Sequence, residues 1–231
     1  MRATKKKRGA VKQIDSDKYN VAWFKLAECV SRHEKERALG VLHLLVHSLD
    51  DVALGYKLEG DVYVSFNEIE NAITRYTLAA KEYQREKRFF EAAGIYGNLI
   101  ALKPKSKEYA LALVRLYKVL NVHAKQVESL TTLFDLWIDE QLYLRARDTL
   151  KELIFLDPSY KIFSLTQAFI FDALDKKYFE FRELKDLLKR YIDSLVMSDN
   201  STEVTQFLSV LEAKSSALYG FACNCLDENK K

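Results

Sequence analysis

Sliding this 231-residue sequence against itself by 54 positions places Ala38, Ala92 and Ala146 in one column. Leu42, Tyr96 and Leu150 fall in another column, and Leu45, Leu99 and Leu153 in a third. Tyr63 falls on Tyr117, Asn67 on Asn121, Tyr83 on Trp137 and Pro104 on Pro158. The ending Leu99-Ile100-x-Leu102-x-Pro104 recurs as Leu153-Ile154-x-Leu156-x-Pro158. Apolar positions of any helical chain align with themselves, but a shared proline, a shared small residue and an aromatic-to-aromatic match together point to real repetition. Chains built this way bury a continuous core only by stacking one unit on the next.

The element being repeated is a helix. Apolar residues recur at helical spacing from residue 18 to 225, and no strand pattern of comparable length competes. The periodicity predicts eleven helices, at about 18–32, 34–49, 51–65, 68–84, 88–103, 106–119, 123–139, 142–155, 159–174, 177–197 and 201–225, three to each 54-residue block. Their breaks have local causes. Pro104 and Pro158 each follow a last turn that they cannot extend, Asn67 and Asn121 mark turns, and Asn200 with Glu203 has capping-box spacing before Val204, Phe207, Leu208 and Leu211. Only 7 Gly and 2 Pro occur in the whole chain, so collagen-like order, Pro-rich disorder and a turn-dense β-sandwich are excluded.

Inside the longer period lies a shorter one. Tyr56-x3-Gly60-x2-Tyr63-x8-Ala72-x3-Tyr76-x2-Ala79 resembles the tetratricopeptide repeat, a 34-residue helix-turn-helix with W-x2-L-G-x2-Y followed by A, F, A and P at fixed offsets. A second copy reads Tyr76-x2-Ala79-Ala80-x2-Tyr83-x8-Ala92-x3-Tyr96-x2-Leu99-x4-Pro104. A third reads Leu130-x2-Leu133-Phe134-x2-Trp137-x8-Ala146-x3-Leu150-x2-Leu153-x4-Pro158. A degenerate copy starts at Trp23-x2-Leu26-Ala27-x2-Val30 and reaches Ala38 one residue early. Small side chains at Gly60, Ala72, Ala80, Ala92 and Ala146 let antiparallel helices approach closely. Glu59 and Phe134 depart from the motif, one where it has an apolar residue and one where it has a small one, and the first two full copies share a helix. The expected fold is therefore an all-α, tetratricopeptide-like α-solenoid of about eleven antiparallel helices with irregular units and a C-terminal capping helix.

Three segments are expected: a basic disordered tail over 1–15, helical repeats over 16–160, and a C-terminal helical extension and cap over 161–231. The extension is rich in aromatics, with Tyr160, Phe163, Phe169, Phe171, Tyr178, Phe179 and Phe181. Such a stripe serves either as a ligand platform or, more commonly, as core sealing the last apolar face. The final helix is either a cap or a self-association surface, with the cap favoured.

The net charge of +3 conceals an asymmetry. Arg2, Lys5, Lys6, Lys7, Arg8 and Lys12 carry no acid among them, and beyond them 30 basic residues face 33 acidic ones. Six like charges with few apolar partners do not offset the entropy of ordering, so this arm is expected to be disordered when free and to engage a polyanion. Lys5-Lys6-Lys7-Arg8 also reads as a nuclear-import signal in a eukaryote, and the arm equally suits a merely solubilising role.

Chemistry in the sequence is thin. Gly94-x2-Gly97 has neither a preceding strand nor a lysine in place, so no phosphate cradle is formed, and no GxSxG elbow exists. His43 and His47 stand four apart on one face without an HExxH glutamate, and Cys223-Asn224-Cys225 is not a paired CxxC. No catalytic residue, metal ligand or cofactor is expected. The three cysteines form no disulfide framework, no signal-like apolar segment opens the chain and no stretch approaches a membrane span. These features point to a soluble protein of a reducing compartment, cytoplasmic or, in a eukaryote, also nuclear.

The resemblance implies a non-catalytic adaptor that binds a peptide or partner domain along the face lined by the first helix of each pair. The implied groove positions fall on Lys57, Asp61 and Ser65, then on Thr77, Lys81 and Arg85, then on Thr131, Asp135 and Asp139, each set a stripe at i, i+4, i+8. Family members that clamp an acidic C-terminal peptide carry Lys and Asn in the groove. Here Asp61 follows Lys57 and would repel that ligand. Two other readings remain open: a nucleic-acid- or ribosome-associated protein anchored by its tail, and an export or assembly chaperone.

Overall fold

A computed structural model describes residues 16–48, 51–198 and 201–229. All regular structure among the described residues is helical. The twelve helices are α1 (Ser16–Ser31), α2 (Lys35–Ser48), α3 (Val52–Ser65), α4 (Ile69–Arg85), α5 (Phe89–Leu102), α6 (Lys107–Leu120), α7 (His123–Asp139), α8 (Tyr143–Leu156), α9 (Tyr160–Lys176), α10 (Phe181–Met197), α11 (Ser201–Lys214) and α12 (Ser216–Asn229). The all-α repeat expected from periodicity is what forms, and α1–α9 start and end within two residues of their predicted bounds. None of the described helices is long and apolar enough to cross a membrane.

The 54-residue period reappears in the backbone. Six residues have left-handed φ: His33, Asn67, Lys87, Asn121, Gln141 and Lys177. His33, Lys87 and Gln141 are spaced by 54, as are Asn67 and Asn121. In all six turns the N–H of the following residue reaches back five positions: Glu34 to Cys29 O, Glu68 to Tyr63 O, Arg88 to Tyr83 O, Val122 to Tyr117 O, Leu142 to Trp137 O and Tyr178 to Ala173 O, at 2.8–3.2 Å. This six-to-one bond is the Schellman closure, and it satisfies a carbonyl that the helix end leaves free. The same following residue then accepts the first bond of the next helix in five of the six cases, as when Ala38 N–H bonds Glu34 O and Ala92 N–H bonds Arg88 O. In these five turns a helix ends and the next begins with no more than three residues between them, which is the hairpin that the tetratricopeptide spacing implies.

Two corrections concern the C-terminal helices. The helix expected over 201–225 is two helices, broken at Ser215, and the second runs to Asn229. The helix expected from 177 starts at Phe181, because Lys177 adopts the left-handed conformation and Glu180 N–H is capped by the Glu183 carboxylate at 3.0 Å. The cap expected at Asn200 and the basic residues Arg2, Lys5, Lys6, Lys7, Arg8 and Lys12 lie outside the described residues.

The chain divides into two compact units, Met1–Leu102 and Lys103–Lys231. In the first, successive helices α1 to α5 pack each on the next. Leu26, Cys29, Ala38, Leu42, Leu45 and Val62 form one buried cluster there. α4 packs on both α3 and α5, the small residues Ala72, Ala79, Ala80 and Ala92 of α4 and α5 are fully enclosed, and Tyr76, whose ring lies against Gly60 of α3, and Tyr83 are buried as well. In the second unit α6, α7, α8 and α9 pack in succession, α10 lies on α8 and α9, and α11 and α12 pack on α10. Its core is aromatic, as in the stacked Phe171–Phe207 pair (5.4 Å) and the edge-on pairs Phe163–Tyr191 (5.9 Å) and Phe134–Phe169 (5.8 Å). Phe134, which replaces the motif's small residue, finds its space against Phe169. Gln126 occupies the column of Ala72 and is 3% exposed, with its amide donating to Glu152 Oε1 at 3.1 Å.

Candidate partner-binding surface

The stripe on α3 is a connected polar set rather than three separate side chains. Lys57 Nζ donates to Asp61 Oδ2 (2.7 Å), Tyr76 Oη on α4 donates to Asp61 Oδ1 (2.7 Å), and Ser65 Oγ donates to Asp61 O (3.0 Å). Helical spacing brings Lys57 to Asp61, and the α3–α4 hairpin brings Tyr76. Lys57 and Asp61 are both part-exposed, so the pair presents two mutually neutralised charges at the surface. The stripe on α4 is more open. Thr77 Oγ1 bonds Ile73 O (2.8 Å), Lys81 is exposed, and Arg85 is exposed with its Nε 2.7 Å from Glu82 Oε2.

In the second unit the stripe on α7 borders a cleft of about 320 Å³ lined by Ala124, Val127, Glu128, Thr131, Thr132, Asp135, Asp157, Lys161 and Ile162. Thr131 Oγ1 donates to Val127 O (2.9 Å), so its hydroxyl proton is already committed within α7. Partial withdrawal from water, reinforced by the Asp139 carboxylate and opposed by Lys161, holds the Asp135 carboxyl above its ordinary range. Glu128, Asp135 and Asp157 share this lining with one cation, Lys161, and Glu128 is already paired with Lys125 at 2.7 Å. Asp139 lies further along, exposed, with Lys105 Nζ at 3.8 Å. The nine groove positions expected from the sequence therefore fall into two groups: Lys57, Asp61, Ser65, Thr77, Lys81 and Arg85 in the first unit, and Thr131, Asp135 and Asp139 in the second.

Two further features lie outside the nine groove positions, and of these only Glu59 was marked in the sequence, as a departure from the motif. Between α8 and α10 lie adjoining clefts of about 500 and 440 Å³ that share Lys151, Phe155 and Arg190. Phe155 is 80% exposed and Met197 88% exposed on their rims. Lys151 is held by Asp186 (2.5 Å) and Asp148 (3.5 Å), and the first of these contacts pulls the Asp186 carboxyl below its usual range. Phe155 stands where Ala101 stands one period earlier, and that small-to-aromatic change was the readable signal. The second feature is Glu59, which takes the motif's apolar position and is only 7% exposed. Arg75 Nε lies 3.1 Å from Oε2, near enough for an ion pair but not aligned as a hydrogen bond, and His43 Nδ1 lies 3.8 Å from Oε1.

No group of three or more His, Cys, Asp or Glu among the described residues is placed to hold a metal ion. Cys29 and Cys225 are buried thiols, and burial pushes the Cys225 thiol up.

No protein-family model matches the chain, and no curated protein matches it. Among solved structures the chain is similar to MamA 41-end from Desulfovibrio magneticus, with 14% identity, 80% of this chain and 97% of that chain covered, and a TM-score of 0.28. It is also similar to a tetratricopeptide repeat protein from Parabacteroides merdae, with 13% identity, 86% and 80% covered, and a TM-score of 0.29.

Proposed function

We propose that this protein is a non-catalytic adaptor that binds a protein partner through the polar stripes of its first-of-pair helices. The cleft beside α7 would receive a Lys or Arg side chain of an extended peptide. The observation that carries this reading is the charge imbalance at that cleft of about 320 Å³, where Asp135 and Asp157 share the lining with one cation, Lys161, once Glu128 is set against its own partner Lys125. A carboxylate beside a second carboxylate gains from an incoming cation, which relieves their mutual repulsion. Asp135 is in that position, with Asp139 as its neighbour. The α7 stripe, with Thr131 and Asp135 in the lining of the cleft, suits recognition of peptide main chain and side chain together, and nothing in this reading requires a cofactor.

The test is capture of partners by the immobilised full-length protein at low and high salt, comparing the unaltered chain with Asp135→Lys. The charge reversal should abolish a salt-sensitive protein partner and leave the helical circular dichroism signal unchanged. Undiminished capture by Asp135→Lys would remove the cleft from the reading, and capture of nucleic acid alone would favour a polyanion-binding role instead.

A further inference from the structure

Every other described junction between helices in this chain carries a residue that stops a helix. His33, Asn67, Lys87, Asn121, Gln141 and Lys177 take left-handed φ, and the α5–α6 and α8–α9 connections contain Pro104 and Pro158. The corner between α11 and α12 has neither. It consists of Ser215 alone, with no Gly, no Pro and no positive φ among its neighbours. Ser215 N–H still makes the helical bond to Leu211 O (2.8 Å), and Tyr219 N–H makes the helical bond to Ser215 O (2.9 Å). Between them the i→i−4 ladder is interrupted for Ser216, Ala217 and Leu218, and Leu218 N–H turns instead to the Ser215 hydroxyl at 3.4 Å, a long and weak cap. The sequence around the corner, Glu212-Ala213-Lys214-Ser215-Ser216-Ala217-Leu218, is compatible with an unbroken helix.

What holds the corner bent is the packing of α12. Leu218, Ala222 and Cys225 are 1%, 0% and 2% exposed. Around them Lys189 Nζ meets Glu228 Oε2 (3.1 Å), Asn229 Nδ2 donates to Asp193 Oδ1 (2.7 Å), and Lys185 Nζ stands 4.7 Å from the centre of the Phe221 ring. All these partners lie on α10. α11 is anchored separately, by Phe207 against Phe171 and Tyr191. α12 also touches α11 across the corner, and those contacts are given up when the corner straightens, whereas the seat of α11 at Phe207 is left in place.

We propose that Ser215 is a hinge through which two copies of this chain exchange their last helices, α12 of each packing on α10 of the other. Straightening the corner joins α11 and α12 into one helix and carries α12, about 21 Å long, off its own α10. In a lone chain this exposes Leu218, Ala222 and Cys225 together with the α10 face beneath them. In a pair of chains each exposed face finds the same partner surface on the other copy, so every α10–α12 contact is regained, and the three interrupted backbone positions gain helical bonds. Exchange of an identical element is the low-cost route to a dimer, and a one-residue hinge favours it over closure in cis. The second copy is the occupant because it supplies an α12 surface already complementary to α10.

The experiment is light scattering on the full-length protein refolded at micromolar and at near-millimolar concentration, with two variants beside it. A dimer that grows with refolding concentration is expected for the unaltered chain. Ser215→Ala removes the hydroxyl cap and improves helix propensity at the corner, which should raise the dimerisation constant by about tenfold, since two caps are given up per dimer. Inserting Gly-Ser-Gly after Ser215 prevents a continuous helix and should return the protein to monomer at both concentrations. A chain that stays monomeric at near-millimolar concentration with and without Ser215→Ala overturns the proposal. A dimer that survives the insertion overturns it as well, since such a dimer forms elsewhere on the surface. Should Ser215→Ala not fold, the unaltered chain and the insertion variant decide the matter by themselves.

Discussion

The Tyr76 hydroxyl donates to Asp61 Oδ1 at 2.7 Å, linking α4 to a carboxylate that Lys57 already grips from the other side. One acid thus serves the motif aromatic of its own hairpin and a polar stripe at the surface. Burial, with the hydrogen bond to Asp61 and its charge adding to it, pushes the Tyr76 phenol well above the ordinary tyrosine range. The folded protein therefore holds this proton more tightly than the unfolded chain. The resulting stabilisation is fully present below about pH 10, where an unfolded tyrosine ionises, and is lost as the pH rises beyond it. Tyr76→Phe should cost about 1 kcal/mol at neutral pH, the usual net worth of one hydrogen bond. Urea melts repeated between neutral and alkaline pH should show a smaller alkaline loss in the variant. A residual loss is expected, because burial also raises Tyr191.

The same ring sets the spacing between α3 and α4. A Cβ placed on Gly60 would stand 2.6 Å from both Cδ1 and Cε1 of Tyr76, and the bond to Asp61 restrains the ring from moving aside. Gly60→Ala should therefore destabilise by about 1–3 kcal/mol, as overpacking does. Gly94 sits inside α5, where an added Cβ would meet nothing within 4 Å, so Gly94→Ala should stabilise by about 0.5–1 kcal/mol through helix propensity alone. Thermal melts of the pair check both signs at once, and equal effects would show that the close approach is not what selects glycine at position 60.

These residues also show where sequence reasoning stops. Helix existence was readable because apolar periodicity is local, and Asn67, Asn121, Pro104 and Pro158 announce their turns by residue type. Lys87, Gln141 and Lys177 adopt the same left-handed turn without being residues that favour it, and Ser215 turns a corner with no breaking residue at all. In each case tertiary packing overrides local preference. The stripe at Lys57, Asp61 and Ser65 follows from i, i+4, i+8 spacing, whereas the claim of Tyr76 on Asp61 needs the hairpin to be closed first. The clefts at Phe155 and Arg190 need α8 and α10, whose juxtaposition no periodicity encodes.

Glu59 illustrates a buried charge held by imperfect partners. Removing Arg75 leaves the carboxylate of buried Glu59 with His43 as its one basic neighbour among the described residues, so Arg75→Ala should destabilise by about 2–3 kcal/mol, somewhat below a fully enclosed pair because Arg75 itself is part-exposed. Glu59→Leu restores the apolar residue of the motif and removes the need for a partner. The double variant Glu59→Leu/Arg75→Ala should therefore be more stable than Arg75→Ala by itself. Chemical denaturation of the three variants gives the coupling, and additive losses would show that the two side chains do not depend on one another.

The left-handed turns allow the sharpest stability test, because their geometry is uniform while their residues are not. A side chain at positive φ crowds its own carbonyl and costs roughly 1–2 kcal/mol, a cost that glycine avoids and asparagine lessens through local hydrogen bonding. Lys87 and Gln141 sit at φ 60, are exposed, and lie one 54-residue period apart, each followed by a Schellman bond of 2.8 Å. Glycine loses some of this advantage to the greater freedom of the unfolded chain, so Lys87→Gly and Gln141→Gly should each stabilise by about 0.5–1 kcal/mol. The same change at Asn67 or Asn121 should gain less, since asparagine already tolerates the conformation. The two periodic positions should respond alike and, lying in separate turns, should add when combined. If melting temperatures fall for Lys87→Gly and Gln141→Gly, the side chains are contributing contacts that outweigh the backbone strain, and the turn closure rather than residue preference would have to account for all of the stability at these corners.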